Sequence, residues 1–278
     1  MNGSLKITVL SDNTVAAPPV RGEHGLAFWI EIGANRVLFD TGQGLVLADN
    51  AQALGVDLGA VDTIVLSHGH YDHTGGLADV LRAAAWSVTV HAHPEALAPK
   101  YKRNATGVRY IGIPLGIRET LMAGRNRPVL SQASLEVVPG IRTTGEIPRQ
   151  HPEEAITEPF CRDPEGRLPD PLLDDQALIL DTAPGTVVLL GCAHAGVINT
   201  LDHVQQLTAE KPIHAVIGGM HLGSATPERI EWTVQELRRF KIELLIPLHC
   251  TGQQATVALW TAFPGACRAG GAGTVFEF

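Results

Sequence analysis

The order hairpin, helix, strand, helix, strand occurs twice along this chain, and that repetition limits the fold more than any single segment does. In the first half, apolar runs at 26–32 and 36–40 flank Gly33-Ala34-Asn35, a hairpin signal. Helical spacing follows over 45–54, a strand at 61–66, helical spacing over 76–85 and a strand at 88–91, with an earlier strand at 5–10. In the second half, runs at 176–181 and 186–190 flank Ala183-Pro184-Gly185. A helix over 197–208, a strand at 213–217, a helix over about 227–240 and a strand at 244–248 then repeat the series. Two such halves, each a mixed sheet with helices on one face, bury most apolar surface by packing sheet against sheet. The expectation is α/β: one domain over 1–278, a four-layer αβ/βα sandwich of two similar halves. Strand-end loops from both halves then meet along one edge, with His68, His70 and His91 just past strand ends in the first half and His221 and His249 in the second.

One of those loops carries chemistry. Ser67-His68-Gly69-His70-Tyr71-Asp72-His73 places three imidazoles and a carboxylate within six positions, directly after an apolar strand. Imidazole and carboxylate are the donors expected of zinc or a similar divalent cation. A solvated His-rich turn is the bland alternative, and four donors in so tight a pattern argue against it.

The rest of the chain excludes other classes. A net charge of −8 over 278 residues lacks the basic footprint of a nucleic-acid-binding protein. No apolar run has the length of a membrane span, and residues 1–6 lack the basic start and apolar core of a signal peptide. Cys161, Cys192, Cys250 and Cys267 are scattered without a CxxC pair, which suggests reduced thiols in a cytoplasm. Cys192 and Cys250 lie near a His in strand-end loops and could border the site, although small buried apolar residues is their commoner role.

Between the halves, an irregular Arg/Pro-rich insertion occupies about 99–171. Lys100, Lys102, Arg103, Arg109, Arg118, Arg125 and Arg127 gather there in an otherwise acidic chain. An anion-binding lid over the metal edge and a solvated loop or homo-oligomer contact are the two uses such a run has. Arg103, and Arg149 in the loop that follows, are the candidates for substrate contact.

His68-x-His70-x-Asp72-His73, with Asp40-Thr41-Gly42 before it and His194 and His249 after it, resembles the metallo-β-lactamase superfamily over nearly the whole chain. The resemblance implies the αββα sandwich and a dinuclear centre, with two divalent ions, zinc first and manganese or iron as alternatives. His68, His70 and His194 would hold one metal, and Asp72, His73 and His249 the second. Asp40 would be the non-ligand carboxylate that shapes the loop. Many members carry a His before a hairpin and a bridging Asp after it; here Asp174 and Asp175 precede the hairpin and His194 follows it. Either Asp175 joins the bridge, or a hydroxide alone bridges, or one site is weak; a turn residue is the plain alternative for Asp175. The phrases Asp174-Asp175-Gln176-Ala177-Leu178, Gly191-Cys192-Ala193-His194-Ala195-Gly196 and Gly218-Gly219-Met220-His221-Leu222 are similar to a branch called dihydropteroate-synthase-like or dihydropterin–ribofuranosylaminobenzene 5′-phosphate synthase.

The leading functional expectation is a metal-dependent hydrolase that turns a metal-activated hydroxide on an anionic, phosphorylated ester or phosphoester small molecule. Asp72 would orient the nucleophile or pass a proton, and His221 would contact substrate or an oxyanion, a plain buried His being the alternative. Dihydropterin-type synthase chemistry on a phosphoribosyl substrate is the second expectation. A non-hydrolytic redox or ligand-sensing metal protein is the third.

Overall fold

The computed structural model describes residues 4–123 and 126–278; residues 1–3 and 124–125, among them Arg125 of the basic segment, lie outside the described residues. The first half contains β1 (Leu5–Ser11), β2 (Ala27–Ile32), β3 (Asn35–Phe39), α1 (Leu47–Ala53), β4 (Thr63–Val65), the short α2 (Tyr71–Thr74), α3 (Leu77–Ala83) and β5 (Thr89–Ala92). The insertion holds β6 (Tyr101–Asn104), β7 (Gly107–Tyr110), α4 (Ile117–Ala123), β8 (Arg127–Leu130), β9 (Glu136–Val138), β10 (Ile141–Thr143) and β11 (Phe160–Cys161). The second half runs β12 (Ala177–Asp181), β13 (Thr186–Leu190), α5 (Val197–Leu207), β14 (Ile213–Gly219), α6 (Pro227–Leu237), β15 (Leu244–Leu248), α7 (Gln253–Ala262) and β16 (Val275–Glu277).

Three sheets result, ordered β16-β1-β2-β3-β4-β5-β8, β15-β14-β13-β12-β10-β9 and β11-β6-β7. Alternation along the strands explains how the two large sheets stack, because successive side chains leave opposite faces. On β2, Ala27 and Trp29 join the core beneath α1 and α3, while Phe28, Ile30 and Ile32 join the core between the sheets. On β13, Val187 and Leu189 face that same central core, and Val188 and Leu190 face the core under α5 and α6. Three apolar cores separate four layers, so the αββα sandwich read from the repeat is the fold found. The repeated order is present as well: β2-β3, α1, β4, α3, β5 in one half and β12-β13, α5, β14, α6, β15 in the other.

The insertion is more ordered than its composition suggests. β8 extends the first sheet in parallel with β5, and β9 and β10 join the second sheet beside β12. β6, β7 and β11 form a small sheet of their own, with β11 contributed from nearly sixty positions downstream. His91 does not stand past a strand end; it pairs within β5 opposite Val65, away from the edge where the other histidines meet. No helix of the described residues is long and apolar enough to cross a membrane.

Candidate metal centre

The loop between β4 and α2 is fixed from three sides before any ligand is considered. Asp40 follows β3, and its carboxylate accepts from Ser67 N (2.7 Å), Ser67 Oγ (2.6 Å) and His73 Nδ1 (2.7 Å). Asp174 accepts from Gly69 N (2.8 Å) and is itself paired with buried Lys100 (2.7 Å), which also meets Asp170 (3.1 Å). Gln176 donates from its main chain to Ser67 O and from its side chain to Leu66 O, which ties the second half to the strand end. Gly69 is required because a Cβ there would collide with the Ala96 carbonyl, and Gly191 because one there would collide with Ser67 Oγ.

This network dictates where protons sit. Ser67 has one hydroxyl proton and gives it to Asp40, so the 2.9 Å contact with His68 Nδ1 must be an N–H donated to Ser67 Oγ. His68 Nε2 is therefore a lone pair, and it faces His70 Nδ1 at 2.9 Å and His194 Nε2 at 3.3 Å. His73 likewise spends its Nδ1–H on Asp40, leaving Nε2 toward Cys192 Sγ at 3.1 Å and Asp72 Oδ2 at 3.9 Å. His249 spends Nδ1–H on Asn13 Oδ1 (2.8 Å) and turns Nε2 to Asp72 Oδ2 at 3.3 Å. A lone pair 3.3 Å from a carboxylate oxygen is repulsive unless a positive charge, proton or metal, lies between them.

Ionisation agrees with a ligand role. Burial holds His68 and His194 well below the ordinary histidine range and takes His70 down to about 3, so all three rings are neutral and can offer a lone pair. Burial opposes charge on His73 too, but Asp40 prevails and lifts it to about 9. Asp72 is also resisted by burial, yet the imidazoles of His24 and His249 beside it hold it well below the usual carboxylate range. His70 Nε2 and His249 Nε2 are buried without a hydrogen-bond partner. Neutral imidazoles converging on one point, with His68 anchored through Nδ1 on Ser67 Oγ, are what divalent cations require, so the residues present fit such a group.

The sequence-predicted residues separate into two groups. His68, His70, Asp72, His73, His194 and His249 are brought together; Asp40 contacts His73 directly and His68 only through Ser67. Asp175 is different. Its Oδ2 accepts from Ala195 N (2.8 Å), its Oδ1 has no partner, and burial raises its pKa to about 6. Among the described residues, it belongs to none of the groups of three metal-type donors that lie within 4.8 Å of one another, whereas Cys192 belongs to three of them.

In front of the centre lies a cavity of about 390 Å³ bounded by His70, Asp72, His194, His221 and His249, with Lys102, Asn104 and Arg109 from the small sheet on its far wall. Lys102 Nζ stands 4.9 Å from the centre of the Phe160 ring, and the Arg109 guanidinium 5.1 Å from that of Tyr71. Arg103 points elsewhere, donating to Gly166 O at 3.4 Å; alternation along β6 presents its neighbour Lys102 to the cavity instead. Arg149 spends its guanidinium on the carbonyls of His194 (2.9 Å), Pro171 (2.7 Å) and Leu172 (3.0 Å), and so clamps main chain behind the site. His221 reaches the cavity with Nε2 on Glu158 at 2.9 Å, and Ser224 Oγ donates to the same carboxylate oxygen at 2.6 Å. Burial works against charge on His221, but Cys250 and Glu158 beside it raise its pKa to about 10; Glu158 falls to about 2 against its own burial. Glu158, in a Pro- and charge-rich connecting stretch inside the insertion, carries no motif signal in the sequence.

An αββα sandwich whose strand-end loops assemble this His/Asp cluster defines a metal-dependent protein of a known kind. The chain belongs to the metallo-β-lactamase superfamily, whose family profile matches residues 20–249. It is 29% identical over 262 residues, 91% of this chain and 89% of the relative, to 7,8-dihydropterin-6-methyl-4-(β-D-ribofuranosyl)-aminobenzene-5′-phosphate synthase of Methanocaldococcus jannaschii. An uncharacterized protein of the same organism is 34% identical over 254 residues, 91% of this chain and 93% of its own. The crystal structure of Tm1679, described as a metal-dependent hydrolase of the β-lactamase superfamily, superposes with a TM-score of 0.83 at 30% identity and covers 99% of both chains.

Proposed function

We propose that this chain is a metal-dependent hydrolase acting on a small anionic ester or phosphoester. The observation that carries the reading is a juxtaposition: the cation-demanding cluster opens through His70, Asp72, His194 and His249 into the same cavity as Lys102 and Arg109. Bound there, divalent cations would supply an acidified water and a Lewis acid for a developing oxyanion. The chain's own residues do the remainder. Lys102 and Arg109 draw in an anionic group and hold it opposite the cluster, where Asn104 adds a neutral partner. Tyr71, Ile111 and Phe160 line the walls between and thin the water around the reacting bond. Asp72 sits where it can take a proton from the attacking water, since its Oδ2 already faces two imidazole nitrogens. His221, oriented by Glu158, is placed to donate a hydrogen bond to a developing oxyanion or leaving group.

A second reading is favoured by the named relative: synthase chemistry that joins a pterin to a phosphorylated ribosyl aminobenzene, using the same centre. The same basic wall serves either substrate class. Metal analysis of the purified protein, followed by turnover of a panel of phosphodiesters, phosphomonoesters and lactones beside the pterin and phosphoribosyl pair, separates them. Zinc or manganese with ester turnover supports hydrolysis, and turnover only with the pterin pair supports the synthase. A protein without metal, unaltered when His68 and His70 are both replaced by Ala, sinks both.

A further inference from the structure

The cluster lacks an obvious ligand between its two halves, and the structure supplies a sulfur there. Cys192 follows β13 and the tight turn at Gly191, and its side chain is buried at the junction of the two sheets. Its Sγ groups with His68 and His194 on one side and with His73 and His249 on the other, each set of ligand atoms lying within 4.8 Å of one another. No other residue stands in both sets. His73 Nε2 lies 3.1 Å from that sulfur. Asp175, the carboxylate available near this hairpin, is held by Ala195 N and stands outside both sets.

We infer that Cys192 is a metal ligand whose thiolate sulfur spans the two cation positions, taking the bridging place that a carboxylate would otherwise occupy. The inference rests on the metal reading of the site. Sulfur suits the role because a thiolate has several lone pairs and can serve two cations at once, which an imidazole nitrogen cannot. Ligation requires the thiol to lose its proton, and in a site this buried that proton leaves to solvent as the cations enter. A thiolate bridge also shifts the preference of the centre toward softer cations: zinc, cobalt or ferrous iron over magnesium or calcium. Cys250 is the alternative sulfur, because its Sγ groups with Cys192 and His221. It stands with neither His68 and His194 nor His73 and His249, so it is a neighbour of the bridge rather than the bridge itself.

Cobalt(II) tests this without reference to turnover. The metal-free full chain is titrated with Co(II), stoichiometry is read by elemental analysis, and the near-ultraviolet thiolate-to-cobalt charge-transfer band is followed. The wild type should bind two equivalents and show the band. Cys192→Ser should lose it and weaken cobalt binding by at least the roughly 10- to 100-fold that loss of a mere outer partner costs. Cys192→Asp should bind two equivalents with no band, which separates a lost sulfur from a lost fold. Bridging predicts that His194→Ala and His249→Ala, each emptying one position, both retain the band at reduced intensity; loss of the band in either one makes Cys192 a terminal ligand and overturns the bridge. Two equivalents bound without any band, or a band that vanishes in Cys250→Ala and persists in Cys192→Ser, overturns the assignment while leaving the metal reading intact. A wild-type chain that binds no cobalt removes both.

Discussion

Replacing Lys100 by Met should be the most damaging single change outside the cluster, and the structure says by how much. The ammonium is 2% exposed and meets Asp170 and Asp174, whose side chains are 5% and 0% exposed. Solvent therefore screens none of this triad. Burial disfavours the charged amine, but Asp174 and Asp170 overcome it and raise its pKa above the ordinary value. The stability it confers is intact below the ordinary lysine pKa and is lost only as pH climbs through the raised one, in strongly alkaline solution. Methionine fills the space yet leaves buried Asp174 without a cation and Asp170 with only Arg162, 3.7 Å away. Breaking a buried pair in this way costs about 3–5 kcal/mol. At roughly 2–4 °C per kcal/mol, or less in a chain this long, the melting temperature should fall by about 10 °C. The deficit should shrink as pH is lowered toward the carboxylate range, because protonating the orphaned pair removes the buried charge. Asp174 also holds Gly69 N, so metal affinity should fall together with stability. Thermal unfolding of wild type, Lys100→Met, Asp174→Asn and the double variant gives the coupling directly. A Lys100→Met protein melting within 1–2 °C of wild type at neutral pH, or pairs that prove additive in the cycle, would refute the argument.

Other outcomes follow from the same geometry. Lys102→Ala and Arg109→Ala should each raise KM for an anionic substrate by about 10-fold while leaving metal content unchanged, and the effect should fade at high salt; steady-state kinetics at two ionic strengths checks it. Glu158→Gln should lower kcat by about 10- to 100-fold with KM nearly constant and should move the basic limb of the pH–rate profile to lower pH, because His221 loses the carboxylate that orients it and raises its pKa. Gly69→Ala should abolish metal uptake measured by elemental analysis, since the added methyl group drives the loop off Ala96. A chelator should lower the melting temperature of the wild type by several degrees and leave the His68→Ala/His70→Ala double variant where it was, because a cation bound only by the folded state stabilises it.

Most of the scaffold was legible because burial here follows simple periods. β2, β3, β12, β13 and β15 alternate between two cores, and α5 and α6 place apolar residues at helical spacing over the second sheet. The six candidate ligands were legible for a different reason: the HxHxDH spacing and the single histidines after β13 and β15 have few uses other than a metal. What the sequence hid depends on one-residue register or on pairing at a distance. Whether Lys102 or Arg103 faces the cavity turns on how a four-residue strand pairs with β7 and with β11, far downstream. Glu158 reaches His221 only because β11 carries its loop across the edge. Cys192 reads as a small apolar residue until the stacking of the two sheets brings it against His73. Lys100 reads in the sequence as one of a basic run, lid or solvated loop, and the two carboxylates that pair with it lie about seventy positions away.

The backbone itself marks this edge as the working part of the fold. Among the described residues, eight that are not glycine hold positive φ, and four of them, Asp40 (59°), Ala193 (55°), His221 (48°) and His249 (49°), stand at the ends of β3, β13, β14 and β15. Left-handed geometry costs an L-residue roughly 1–2 kcal/mol, so chance alone would not gather it at the C-terminal ends of strands in both sheets. Three of the four are held by side-chain partners that a relaxed backbone would lose: Asp40 by Ser67 and His73, His249 by Asp12 Oδ1 on its main-chain N–H at 2.8 Å, His221 by Glu158. A left-handed residue breaks the extended run of its strand, so the chain turns out of the sheet at that edge. Two half-sites on separate sheets can then share one centre. On this account the strain is the cost of convergence, and the polar network around Asp40, Asp12 and Glu158 is there to hold the kinks rather than to perform the chemistry.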